Sequence, residues 1–183
     1  MQQLDRRRFL CSSMATGAAL ALAGLPMHSA ARADSHRKAK RPGEPDQLTF
    51  GLVTYLWGRD WDLPALIKNC ETAGVKGVEL RSTHKHGVEP SMNKQQRAEV
   101  KKRFADSSVV CVGPGSNERY DNPDPKVVAK AIEATKGFIK LSHDIGSTGV
   151  KVKPDRFHKN VPHEATIRQI GESLQLLGEF AKG

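Results

Sequence analysis

The sequence predicts an α/β fold, TIM-barrel-like, with only the first four βα units of a (β/α) barrel present. Three observations predict it. From Leu48 onward, short runs of strand-forming residues alternate with longer segments of helical period. The second and fourth of those runs carry charges at every second place. No glycine-rich turn follows the first run, since Thr54 to Asp62 contains only Gly58, which argues against a doubly wound nucleotide binder.

The first strand is expected over Leu48 to Trp57. Asp62 caps the first helix, whose apolar positions Leu63, Leu66, Ile67, Cys70 and Ala73 follow the 3.6-residue stripe and stop at Gly74. Val75 to Arg81 reads as the second strand, and Asn93 to Asp106 as a helix with mainly Val100 and Phe104 marking its buried face. Ser108 to Gly113 is a short continuous apolar run, as suits a parallel strand covered on both faces. Asp124 and Pro125 open the third helix as N-cap and first position. Val128, Ala131, Ile132, Thr135, Phe138, Ile139 and Ile145 lie along one side of it, ending at Gly146. Thr148 to Lys153 is the expected fourth strand, and Ile167, Ile170, Leu174, Leu177 and Ala181 mark the fourth helix.

Alternation along the strands separates a barrel from an open sheet. Glu79 and Arg81 flank Leu80, and Lys151 and Lys153 flank Val152, so these four side chains face away from the helices. In a barrel that face is the interior, where even-numbered strands supply the same layers. Glu79 and Lys151 either neutralise each other inside or serve a site, while Arg81 and Lys153 lie nearer the mouth. A complete barrel needs eight units and about 250 residues. Four units would leave two bare edges, so the expectation is a truncated or interrupted form of a longer protein.

Residues 1–33 read as an export signal of the twin-arginine (Tat) type. Asp5-Arg6-Arg7-Arg8-Phe9-Leu10 precedes an uncharged, mildly apolar run to Met27, and Ala31-Arg32-Ala33 offers a cleavage site before Asp34. The competing reading is an uncleaved membrane anchor, diluted by Ser12, Ser13, Thr16, Gly17 and Gly24. Cys11 lies too close to the arginines for lipid attachment. Residues 34–47 form a basic linker containing Arg37, Lys38, Lys40 and Arg41. Residues 48–183 are the domain. Of 29 basic and 20 acidic residues, the signal holds four and one, which leaves a net charge of +6 on the mature chain. Cys70 and Cys111 sit among apolar neighbours and read as core thiols.

Barrel chemistry sits on the loops after the strands. Loop one holds Tyr55, Trp57, Arg59, Asp60 and Trp61, where an aromatic face either stacks on a sugar ring or packs on loop backbone. Loop two contains His84-Lys85-His86, and an extended His-x-His can clamp a metal; substrate hydrogen bonding and a merely exposed loop stand beside that reading. Loop three, Gly113 to Glu118, offers backbone N–H groups but matches no defined phosphate motif. Loop four brings Lys153 and Asp155, and Lys153 with Arg81 can pair with a carboxylate or phosphate. His143, His158 and His163 read most simply as surface or helix-end histidines.

Gly77-Val78-Glu79-Leu80-Arg81, the loop Thr83 to Glu89, the helix Phe138 to Asp144 and the strand Gly149 to Pro154 together resemble the sugar phosphate isomerase/epimerase group of xylose-isomerase-like TIM barrels. The resemblance runs from Leu48 to Gly183. It implies a divalent metal (Mn²⁺, Mg²⁺, Co²⁺ or Zn²⁺) that polarises sugar oxygens while acidic residues move a proton between adjacent carbons. It also places the main metal and acid-base residues on strands five to eight, beyond Gly183, so catalytic residues are not assigned. What it leaves to this chain is a substrate wall of Tyr55, Trp57, Glu79, Arg81, His84, His86, Lys153 and Asp155, with His84 and His86 as the metal candidates. The resulting expectation is the N-terminal part of an exported sugar or sugar phosphate isomerase, inactive by itself. The alternatives are a carbohydrate-binding or self-pairing half-barrel and, third, an endonuclease IV-like nucleic-acid enzyme. Much of the positive charge lies outside the domain, which disfavours nucleic acid as a partner.

Overall fold

The computed structural model describes residues 48–183. The Tat signal, the anchor alternative and the basic linker fall outside the described residues. Within them no helix is long and apolar enough to cross a membrane.

The elements run β1 (Gly51–Val53), α1 (Leu63–Thr72), β2 (Gly77–Arg81), α2 (Lys94–Ala105), β3 (Val110–Gly115), α3 (Pro125–Ile145) and α4 (His163–Ala181). β1, β2 and β3 pair in parallel in that order. The register between β2 and β3 slips at Val78/Glu79, where Val78 faces Cys111 but Glu79 faces Gly113.

Helix punctuation follows the chain chemistry. The Asp62 carboxylate accepts the Ala65 N–H at 2.9 Å, and Asn93 with Gln96 closes a reciprocal capping box on α2. Asp124 caps α3 with Pro125 just inside, and Gly146 ends it in the left-handed conformation at φ 75°. Val78 and Leu80 are fully buried towards the helices, while Glu79 and Arg81 are half-buried on the opposite face. The helix side of the sheet carries the core. Leu66, Cys70, Val100, Phe104, Cys111, Phe138 and Leu141 belong to it, each full burial contributing about 1.5–3 kcal/mol for a large apolar side chain. Burial pushes the Cys111 thiol up to about 12, which marks it as an inert core group.

Three expectations change. β1 is three residues long, not the ten from Leu48 to Trp57, because the chain turns immediately after Val53 and Thr54. The expected strand Thr148 to Lys153 reduces to one bridge, Gly115 with Lys151. The segment still follows β3: Thr148 N–H and Lys151 N–H donate to the carbonyls of Val112 (3.2 Å) and Pro114 (3.0 Å), and Lys151 O accepts Ser116 N–H at 2.9 Å. Regular spacing is broken where two glycines cross, since a Cβ at Gly113 would lie 2.1 Å from Gly149 O. The Thr148 hydroxyl also takes the Val112 carbonyl.

The buried face of α4 is the third change. Thr166, Ser173 and Leu177 are buried, whereas Ile167 and Leu174 are exposed and Ala181 lies at the surface. Hydrogen bonds set this rotation. The Gln169 amide donates to the carbonyls of Tyr120 (2.6 Å) and Asn122 (2.9 Å), which turns the helix so that Leu177 joins Tyr120, Val128 and Ala131.

Candidate functional site at the strand ends

The C-terminal ends of the strands converge on Thr54, which is fully buried just after β1. Its N–H donates to Glu79 O at 3.1 Å, and its hydroxyl accepts the Arg81 N–H at 2.9 Å. The same hydroxyl lies 3.2 Å from His84 Nδ1. One small polar residue therefore joins the ends of two strands to loop two. Threonine suits the place because a hydroxyl both donates and accepts.

Arg81 leaves the end of β2 with its guanidinium over the Tyr55 ring, 4.8 Å from the centroid, and donates to Asn117 Oδ1 in loop three. Neither partner is a carboxylate, so the charge is held in place without being neutralised. One layer deeper, Lys151 Nζ meets Glu79 Oε1 at 2.9 Å, the internal pairing anticipated as one of two readings. Only 18% of the Glu79 side chain is exposed, against 48% for Lys151.

Loop four lies beside loop three. Lys153 N–H donates to Glu118 O at 2.9 Å, and Arg119 reaches both Lys153 O at 3.3 Å and the Asp155 carboxylate. Lys153 Nζ lies 3.8 Å from the same carboxylate, so two cations share one anion. Burial pushes the Glu118 carboxyl above its usual range.

The two loop-two histidines differ in what their nitrogens do. The His-x-His segment is a turn, with Thr83 at φ 67° and Gly87 at φ 69°, and the two rings meet edge to face with centroids 6.1 Å apart. His86 is buried; its Nε2–H donates to Arg81 O at 2.8 Å and its Nδ1 accepts Val88 N–H at 3.1 Å. That corrects the metal-clamp expectation for His86, because both nitrogens hold backbone. Among the described residues the His84 Nε2 makes no such contact. Burial and then the positive charges of Arg59 and Arg81 hold its pKa below the ordinary histidine value, against the pull of the Thr54 contact and Asp60. Among the described residues no three His, Cys, Asp or Glu side chains gather as a metal cluster, so the residues present do not fit a metal centre by themselves.

The structure thus brings together Tyr55 with Arg81, Glu79 with Lys151, and Lys153 with Asp155. Trp57 is 80% exposed in loop one, whereas Trp61 lies against the core. Thr54, Asn117 and Arg119 escaped the sequence reading. Asn117 carried a signal in being polar two residues after the strand β3, while the reach of Arg119 to loop four depends on a contact 34 residues away.

No family model matches the sequence, and no curated protein matches it closely. Solved structures do share its fold. The IolI protein, crystallised with a bound zinc atom, superposes with a TM-score of 0.63 at 16% identity, over 73% of this chain and 48% of that one. L-ribulose 3-epimerase gives 0.59 at 18% identity, over 74% and 46%. A xylose isomerase domain protein from Salmonella typhimurium gives 0.54 at 19% identity, over 72% and 46%. The chain spans about half the length of these structures, and its described part has the fold of the xylose-isomerase-like TIM barrels that include sugar epimerases and isomerases.

Proposed function

We propose that this chain forms the N-terminal half of an exported sugar isomerase or epimerase and supplies part of its substrate wall. One observation carries the reading: Tyr55, Arg81 and Asn117 meet at the ends of three parallel strands, where barrels of this fold place their chemistry. The sugar epimerases among the similar structures support the substrate class, and the zinc in the IolI protein supports a metal in the complete enzyme. The residues described here do not make that metal site, so no proton-transfer step is assigned to them. Their part is to bind and orient the sugar. Tyr55 and Trp57 offer ring faces to its C–H surface, and His84 Nε2 reaches its hydroxyls. Export rests on the paired arginines Arg6 and Arg7 ahead of an uncharged run.

Saturation-transfer NMR of the 183-residue chain with a panel of ketoses tests the reading. Binding without turnover is expected, with Tyr55→Ala weakening it severalfold; absence of binding to every sugar refutes it. Replacing Arg6 and Arg7 by lysine tests the export route, and unimpaired translocation refutes that part.

A second reading, a half-barrel completed by another copy, is favoured by one feature. The face of the sheet away from the helices leaves Val53, Val110 and Val112 between 41% and 59% exposed, and among the described residues β1 ends the sheet without a further paired strand. A monomer by light scattering across the micromolar range excludes it.

A further inference from the structure

We infer that the free flank of α4 is an interface with a second copy of this chain, the two helices lying antiparallel about a two-fold axis. The inference goes beyond the sugar reading and does not depend on it. Its basis is one ridge of α4 that nothing among the described residues covers. Ile167 and Leu174 are 59% and 41% exposed there, and Gly171, Gly178 and Ala181 lie exposed between and beyond them. The steps from 167 to 171, 174, 178 and 181 alternate four and three, which keeps all five residues on one side of a helix. Other sides of α4 are already occupied: Thr166, Ser173 and Leu177 are buried, and the Lys136 and Lys140 ammonium groups of α3 lie over the Phe180 ring.

Glycine is the poorest helix former after proline, yet two sit on this ridge. A Cβ at Gly171 or Gly178 would have nothing within 4 Å, and neither residue has the left-handed backbone that favours glycine. No neighbour within the described residues therefore keeps either position small. Size and charge agree on the occupant. With two copies antiparallel about an axis between Gly171 and Leu174, Ile167 of one helix meets Gly178 of the other, and Leu174 meets Gly171. Each large side chain then has a hollow to enter, twice over by symmetry. The same arrangement sets Arg168 beside Glu179 of the second copy and Glu164 beside Lys182 of the second copy, so acid meets base at every such contact. Among the described residues none of these four side chains has an ion-pair partner of its own. One two-fold axis satisfies both patterns, as a self-complementary surface requires. A single helix pair buries less than the roughly 1,200 Å² of a standard interface, so the dissociation constant should be on the order of tens of micromolar.

Sedimentation equilibrium of the 183-residue chain from about 1 to 500 µM tests the inference. A monomer–dimer equilibrium is expected, and it should be lost in Leu174→Glu, a change at an exposed position that leaves the core untouched. Gly171→Ala should move two readouts in opposite directions. The melting temperature should rise with helix propensity, while association weakens about fivefold as the hollow fills. Arg168→Glu should weaken the dimer, and adding Glu179→Arg should restore it. Residues 168 and 179 stand about three turns apart on one helix, so that rescue runs only between copies. A monomer throughout overturns the inference, as does a dimer that survives Leu174→Glu. Loss of such a surviving dimer in Val112→Glu assigns the contact to the open sheet face instead. Failure of Glu179→Arg to rescue Arg168→Glu overturns the antiparallel arrangement.

Discussion

The Glu79–Lys151 pair sets a measurable coupling inside the half-barrel. At 2.9 Å its gross attraction in a medium of effective dielectric about 20 is roughly 6 kcal/mol, most of which is offset by the cost of desolvating the carboxylate. Lys151 remains half-exposed, so the net coupling should fall to about 1 kcal/mol. Lys151→Met leaves the mostly buried carboxylate of Glu79 without its partner and should cost about 1–2 kcal/mol. Glu79→Met should cost less, because the lysine amine can turn to water. The double variant should be more stable than the sum of the single losses implies. Urea unfolding at pH 7, with the slopes of the four proteins compared, gives the double-mutant cycle. A coupling below about 0.3 kcal/mol refutes the reasoning, because the two charges would then be independent despite their contact.

Four further outcomes follow from the structure. Arg97 donates to Met92 O, Pro90 O and Asp144, so Arg97→Ala should cost about 2–3 kcal/mol in urea unfolding. The Arg97 hydrogen bond, followed by that of His143, holds the Asp144 carboxyl below its usual range; its stabilising contribution should be full above the ordinary carboxylate value and fade as the pH falls through the lowered one, a dependence that Arg97→Ala should diminish. Gly113→Ala should destabilise the crossing with residues 148–153 by more than 2 kcal/mol, read as a lower melting temperature, since its Cβ would meet Gly149 O, a backbone atom. Cys111 should resist alkylation in the folded protein at pH 8 and react on unfolding, as mass spectrometry of iodoacetamide adducts would record.

How far the sequence could be read depended on the range of each interaction. Asp62, Asn93, Asp124 and Gly146 act within four residues of themselves, so helix starts and stops were visible in the chain. Alternation about Val78 and Leu80 likewise revealed which way Glu79 points. The rotation of α4 could not be seen this way, because Gln169 takes its partners 47 and 49 residues earlier and overrides the apolar stripe of Ile167 and Leu174. The fourth strand was lost to a close crossing of two glycines rather than to any defect in its own pattern. At the site, the charges of Arg81, Lys153 and Asp155 were legible as chemistry. The turn that holds both His86 nitrogens on backbone, and the threonine that ties the strand ends together, were not.

Arg81 is fastened at four places: its N–H by Thr54, its carbonyl by His86, and its guanidinium by Asn117 and the ring of Tyr55. A free surface arginine surrenders rotamer freedom when it grips a ligand, a cost of about 0.5–1.5 kcal/mol for an immobilised side chain. Here folding has already frozen the side chain, and the neutral His86 ring has frozen the peptide beneath it. The ordering entropy of this arm is thus charged to the fold rather than to any ligand, and a visitor to the mouth meets a preorganised cation.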